Sequence, residues 1–211
     1  MSAVESIGAL NHIFATMDRL DDVLQEVLAG WQPPRVVVVG NQSEGKSAIL
    51  ERLCMMPLFP RSKSLCTSVP VKISTRCGAV PRPPTLEVWN TLTGEQVGRT
   101  RIIPLAPGAV DIRAAMADMI ASQRAAVSVD HELRIQIVSP TLPPMNLLDL
   151  PGLVSYPEDM RERTNGLVQR YMVDNLEHSL YVVVVKADSS PCKCGAMRHI
   201  EQLGVTERTV G

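Results

Sequence analysis

Apolar positions follow two rhythms along this chain. In the first, Ile7, Leu10, Ile13, Phe14, Met17, Leu20, Val23, Leu24, Val27 and Leu28 recur every three or four residues. That spacing predicts an amphipathic helix over residues 5–29, ended by Gly30 and Pro33-Pro34. In the second, short apolar runs alternate with helical patterns. Residues 36–39 are four consecutive valines, as a strand buried on both faces requires. Further strands are predicted at 69–75, 86–90, 133–138, 145–148 and 180–185, with helices at 112–126, 160–177 and 195–203. Strands alternating with helices predict a layered α/β domain. Residues 78–84, GAVPRPP, read as a stiff connector, and no internal repeat or low-complexity tract interrupts the pattern.

Composition narrows the functions open to such a domain. The chain has 211 residues, enough for one sizeable domain with a small appendage. Its formal net charge of −1 provides no global field for a polyanion, and 3% aromatic content provides no base-stacking platform, so no nucleic acid partner is expected. No apolar run approaches the roughly 20 residues that span a bilayer. The start, MSAVESIGALNHIF, lacks the basic and apolar regions of a signal peptide. Five cysteines without a secretory signal read as free thiols, and a cytoplasmic location is expected.

The chemistry concentrates where the valine run ends. GNQSEGKS, Gly40 to Ser47, fits the phosphate-loop pattern G-x-x-x-x-G-K-[ST], and the helical AILERLC follows it. Glycines at 40 and 45 allow turns and close approach that a side chain blocks. Successive backbone N–H groups of Asn41, Gln42, Ser43, Glu44, Gly45, Lys46, Ser47 and Ala48 then face the phosphates, helped by the positive start of the helix. Lys46 is expected to reach the β- and γ-phosphates and Ser47 to ligate Mg²⁺. Glu44 is a carboxylate inside an anion-binding loop. Pointing outward to solvent, it would cost on the order of 1 kcal/mol against a nearby phosphate charge, less with salt.

A second segment answers the first. In NLLDLPGL, residues 146–153, Asp149 ends an apolar strand and Pro-Gly follows one residue later. That is where a phosphate-loop protein needs a carboxylate for Mg²⁺, and Gly152 can offer its N–H to a γ-phosphate or an attacking water.

VVVVGNQSEGKSAILERL, FPRSKSLCTSVPV, LRIQIVSP, NLLDLPGL and YVVVVKADSS occur in this order, and together they resemble the GTPase domain of the dynamin family. The resemblance extends over most of residues 31–211. It implies a phosphate-loop NTPase fold, a three-layer sandwich around a mostly parallel sheet, incomplete at its C-terminus. Residues 1–30 would form a separate helix of the bundle type, and 31–211 the GTPase domain.

The same resemblance implies roles. Gln42 and Ser43 match the pair that places the attacking water and a monovalent cation, K⁺ or Na⁺. Thr67 matches the first-switch threonine that senses Mg²⁺, and Asp149 and Gly152 match the second switch. Catalysis would be in-line attack of water on GTP, with dimerisation of GTPase domains ordering the switches. Assembly on membranes through segments outside this chain, and binding to microtubules, are further implied partners. Ser62 and Ser64 stand where the family carries glycines, Ser68 replaces a frequent arginine, and Glu44 replaces a small residue. The Asn- or Thr-Lys-x-Asp segment that reads guanine does not occur in residues 1–211. It is expected just after ERTVG, which reads as the start of a strand in a chain cut within the domain.

Other signals are weaker. Cys192-Lys193-Cys194 with His199 is too few ligands for a standard zinc site; Cys54, Cys66 and Cys77 read as ordinary thiols. The charge run 157–164 reads as a solvated helix start or part of a dimer face, and Asp188 as a strand-end residue near the nucleotide or across a dimer. His131 and His178 have no partner in the sequence. The functional expectation is a mechanochemical GTPase; the alternatives are a nucleotide-dependent interaction module that barely hydrolyses, and an ATP-using phosphate-loop enzyme.

Overall fold

The structure, a computed structural model, describes residues 35–59, 69–104, 112–122, 130–174, 176, 179–188 and 194–210. The expected helix over 5–29, the first-switch segment with Ser62, Ser64, Cys66, Thr67 and Ser68, residues 192 and 193, and His178 lie outside the described residues.

The elements are β1 (Arg35–Gly40), α1 (Lys46–Leu53), β2 (Val71–Cys77), β3 (Arg82–Asn90), β4 (Gln96–Ile102), α2 (Ile112–Ser122), β5 (His131–Ser139), β6 (Met145–Asp149), α3 (Glu158–Val173), β7 (Ser179–Val184), α4 (Gly195–Leu203) and β8 (Thr209–Val210). The strands form one sheet in the order β4-β3-β5-β2-β6-β1-β7-β8. The pairs β1–β6, β1–β7, β2–β5 and β7–β8 are parallel; β2–β6, β3–β4 and β3–β5 are antiparallel. The sheet is therefore mostly parallel, with its antiparallel pairings gathered on the β2 side.

Side chains alternate along the central strands, so one sheet serves two cores. Val38 of β1, Leu147 of β6 and Val184 of β7 face one side, with Leu50 of α1, Cys54 just after that helix, and Ala115 and Met116 of α2. Val37, Val39, Leu148 and Tyr181 face the other, against Leu167, Val168 and Met172 of α3 and Ala196 and Ile200 of α4. Helices on both faces make the three layers. Each fully buried Val or Leu contributes about 1.5–3 kcal/mol, which is why the valine run can serve both layers at once. Among the described residues no helix is long and apolar enough to cross a membrane.

Within the described residues the expected strands and helices are present, with ends moved by a few residues. β4 was not legible. Its residues are mostly exposed, so no apolar period marks it, and Arg99 and Arg101 give it the charged character of a managed edge strand. The turn before it is closed by Asn90 Oδ1, which accepts from the N–H groups of Leu92 (2.8 Å) and Thr93 (3.1 Å). The connector expected over 78–84 is shorter than predicted, because β3 begins at Arg82. Pro83 and Pro84 are accommodated where the β3–β5 register shifts, between Arg82 and Thr85. ERTVG does lead into a strand, β8.

Candidate phosphate and metal site

The register of the central strands assembles the site. Gly40 lies beside Val184, so β1 and β7 end at the same level, and Asp149, beside Val38, ends β6 two residues short of them. β1 is followed by α1 on one face of the sheet and β6 by α3 on the other. The chain thus opens a crevice beyond the strand ends, where α/β sheets bind ligands.

Backbone hydrogen bonds stitch the loop to the segment after Asp149. Gln42 N–H donates to Leu153 O (3.0 Å), and Leu153 N–H donates to Gly40 O (3.1 Å). Three glycines serve here for two reasons. Gly45 has φ +99°, a left-handed conformation that side chains resist. Gly40 and Gly152 are needed for space. A β-carbon at 40 would stand 2.5 Å from Val184 O; one at 152 would stand 2.6 Å from Gln42 Cα and 2.8 Å from Lys46 Nζ. Ser43 also takes a positive φ, +62°. For a non-glycine residue this costs on the order of 1–3 kcal/mol and is a mark of functional loops.

The charged and hydroxyl groups converge as the sequence pattern requires. Lys46 is buried, and its ammonium donates to Gly40 O (3.1 Å) and Asn41 O (2.8 Å), under the loop. Ser47 Oγ donates to Asp149 Oδ2 at 3.3 Å, across 102 positions of sequence, and Asp149 is fully buried. A hydroxyl and a carboxylate side by side are the hard oxygen pair that suits Mg²⁺. Ala48 continues the helix, its N–H donating to Gly45 O at 3.0 Å. Gln42 is half-buried at the crevice and Ser43 is exposed. Thr67, the third expected metal-sensing residue, lies outside the described residues.

Glu44 departs from expectation. It does not point to solvent. Its carboxylate turns back and accepts from Asn41 N–H (2.6 Å) and Asn41 Nδ2 (2.8 Å). Two N–H donors offset the desolvation of a partly buried carboxylate, which is what holds it inward. Gly195, not singled out in the sequence, joins the same cluster: its N–H donates to Asn41 Oδ1 at 3.3 Å. No spacing rule links Asn41 to a residue 154 positions on.

A second group missed in the sequence supports α3. Glu132 is buried in β5 and accepts from Tyr171 Oη (2.7 Å), Lys72 Nζ (2.9 Å) and Arg134 Nε (2.8 Å). Burial alone would raise its pKa, but Lys72, Tyr171 and Arg134 outweigh that and hold it below the ordinary glutamate range. Burial also raises Tyr171, together with the Glu132 charge, so its phenol stays protonated as the donor. This group ties α3, which follows the Asp149 segment, to β2 and β5.

The other marked residues sit as follows. Residues 158, 159 and 161–163 at the start of α3 are exposed, and Arg161 pairs with Glu158. Asp188 and Lys186 are exposed after β7. Cys194 is buried at the start of α4, and burial lowers the pKa of His199 on that helix. Cys54 is buried, which pushes its thiol up to about 12. His131 begins β5.

Comparison with known proteins identifies the family. Residues 36–202 match the Dynamin family. Dynamin-related protein 4A of Arabidopsis thaliana is 30% identical over 202 residues, covering 92% of this chain and 62% of that protein. Dynamin-related protein 4C of the same plant is 30% identical over 197 residues, covering 90% of this chain and 28% of that protein. The interferon-induced GTP-binding protein Mx2 of Sus scrofa is 27% identical over 185 residues, covering 84% and 24%. The chain spans between about a quarter and three fifths of these relatives' lengths. The family match covers well over half of the 211 residues, and on it this chain belongs to the dynamin family.

Proposed function

We propose that this chain binds GTP with Mg²⁺ and hydrolyses it to GDP and phosphate. The observation that carries this reading is the Ser47–Asp149 contact at 3.3 Å beside a glycine-bounded loop and a buried lysine. A Mx relative whose name records GTP binding supports the choice of base.

In this reading the N–H groups of residues 43–47 cradle the phosphates, those of Asn41, Gln42 and Ala48 being taken by Glu44, Leu153 O and Gly45 O, and Lys46 neutralises β- and γ-oxygens. Ser47 and Asp149, with Thr67, would hold Mg²⁺, which supplies positive charge to the phosphate oxygens. Gln42, Ser43 and Thr67 orient a water, and Gly152 offers its N–H to it or to the γ-phosphate. Water attacks the γ-phosphorus and passes a proton to a phosphate oxygen, the bond from that phosphorus to the β–γ bridging oxygen breaks, and GDP leaves with the electron pair. No covalent enzyme intermediate forms. A monovalent cation beside Ser43, pairing of two GTPase domains, and assembly of the intact protein on membranes belong to the same reading, as does a cytoplasmic location peripheral to membranes. Microtubules are a further partner class.

The test is turnover of GTP against ATP by the full-length protein with Mg²⁺, beside the Ser47→Ala and Asp149→Ala variants. GTP turnover that falls at least about a hundredfold in both variants supports the reading. Saturable GTP binding with no phosphate release selects the interaction-module alternative instead, and equal use of ATP overturns the assignment of the base.

A further inference from the structure

Asn41 stands where three segments of chain meet, and all four of its polar groups are engaged. Its N–H and Nδ2 donate to the two carboxylate oxygens of Glu44, at 2.6 and 2.8 Å. Its carbonyl accepts from Lys46 Nζ at 2.8 Å. Its Oδ1 accepts from Gly195 N–H, at the start of α4, at 3.3 Å. A parallel bridge joins it to Leu153. A β-carbon on Gly195 would come within 3.4 Å of Asn41 Oδ1 and 3.3 Å of Leu153 Cδ1, so α4, the loop and the Asp149 segment pack here without slack.

The chemistry of this junction is selective at position 44. Gly195 N–H fixes the amide of Asn41 with oxygen toward α4 and nitrogen toward the loop. Asn41 therefore presents two donors to residue 44. An ionised carboxylate accepts both; a glutamine amide accepts one and sets its own NH₂ against the other. Flipping Asn41 would relieve that clash only by turning its NH₂ onto Gly195 N–H.

We propose that Glu44 is a positioning residue. By holding both donors of Asn41 it locks the back of the phosphate loop to Leu153 and α4, and so sets the loop's affinity for a nucleotide's phosphates. The carboxylate is engaged by N–H groups rather than left facing the phosphates. This rests on the GTP-binding reading of the same loop.

The test is calorimetric titration of the full-length protein with Mg²⁺-GTP in four forms: unaltered, Glu44→Gln, Asn41→Asp, and the double variant. Each single variant leaves one mismatched pair and weakens binding about tenfold. In the double variant the carboxylate introduced at position 41 accepts from Gly195 N–H and from the NH₂ of the amide introduced at position 44. The carbonyl of that amide accepts the backbone N–H of position 41. The clasp is rebuilt with donor and acceptor exchanged, and affinity returns to within about threefold. Nucleotide-free melting temperatures are measured alongside. Glu44→Gln binding as tightly as the unaltered protein, or tighter, overturns the proposal, as does a double variant no better than its parents. So does a loss of binding that only follows a lowered nucleotide-free melting temperature. Absence of GTP binding by the unaltered protein would instead sink the proposed function, which keeps the two failures distinct.

Discussion

Gly152 lies against Gln42 with no room for a side chain: a β-carbon would stand 2.6 Å from Gln42 Cα and 2.8 Å from its nitrogen. The same atom would stand 2.8 Å from Lys46 Nζ. The segment after Asp149 and the phosphate loop are thus in direct backbone contact.

Gly152→Ala forces that contact apart. Overpacking of this kind costs about 1–3 kcal/mol, or roughly 2–12 °C in melting temperature for a domain of this size. The larger effect is expected on chemistry, because the displaced atoms include the Lys46 ammonium. GTP turnover should fall at least about tenfold. Unchanged turnover in a folded variant would mean that the contact is slack.

Lys46 is buried under two carbonyls, with its charge next to the loop. Lys46→Met keeps the aliphatic stem and removes the charge. A charge-assisted contact to phosphate is worth about 1.5–3 kcal/mol, so the dissociation constant for GTP should rise roughly 10- to 100-fold. Fluorescence titration reads this directly. An affinity that stays put would remove Lys46 from the phosphate site.

Glu132 links stability to acid. Its folded pKa is held below the ordinary glutamate value, chiefly because Lys72, Tyr171 and Arg134 outweigh burial. Its contribution is therefore complete above the unfolded value, about 4.3, and is lost as pH falls through the lower folded value. Urea unfolding from pH 7 to 3 should show this loss in the unaltered protein. In Glu132→Gln the protein should be less stable at pH 7 and its stability flatter below pH 5. Parallel curves would contradict the assignment.

Tyr171→Phe removes one donor from the same carboxylate without changing shape. A buried acceptor losing a charged hydrogen bond costs about 1–3 kcal/mol. Thermal unfolding should drop by several degrees, while the GTP dissociation constant stays within about twofold, since Tyr171 sits on α3 well along from its start. A large change in affinity with no change in melting temperature would reverse the roles argued for this residue.

The valine run and GNQSEGKS were legible because local rules govern them: a strand buried on both sides has no polar alternation, and a phosphate loop needs glycine and lysine at fixed offsets. Asp149 was legible for the same reason, as the last residue of an apolar strand. β4 was not, since an exposed edge strand carries no apolar period. Glu44 was misjudged because the outward direction is the default for a charged loop residue. Only the nearness of Asn41's two donors reverses it.

By itself the sequence determined the order of the apolar elements, the loop that turns backbone N–H groups toward an anion, and the carboxylate that faces it. These depend on neighbours a few residues apart, where spacing is geometry. The tertiary structure alone decided that Ser47 meets Asp149, that Gly152 must lack a side chain, that Gly195 holds Asn41, and that Tyr171 reaches Glu132. Each of those joins segments distant in the chain, and their distances are set by strand register and helix packing, which no local pattern encodes.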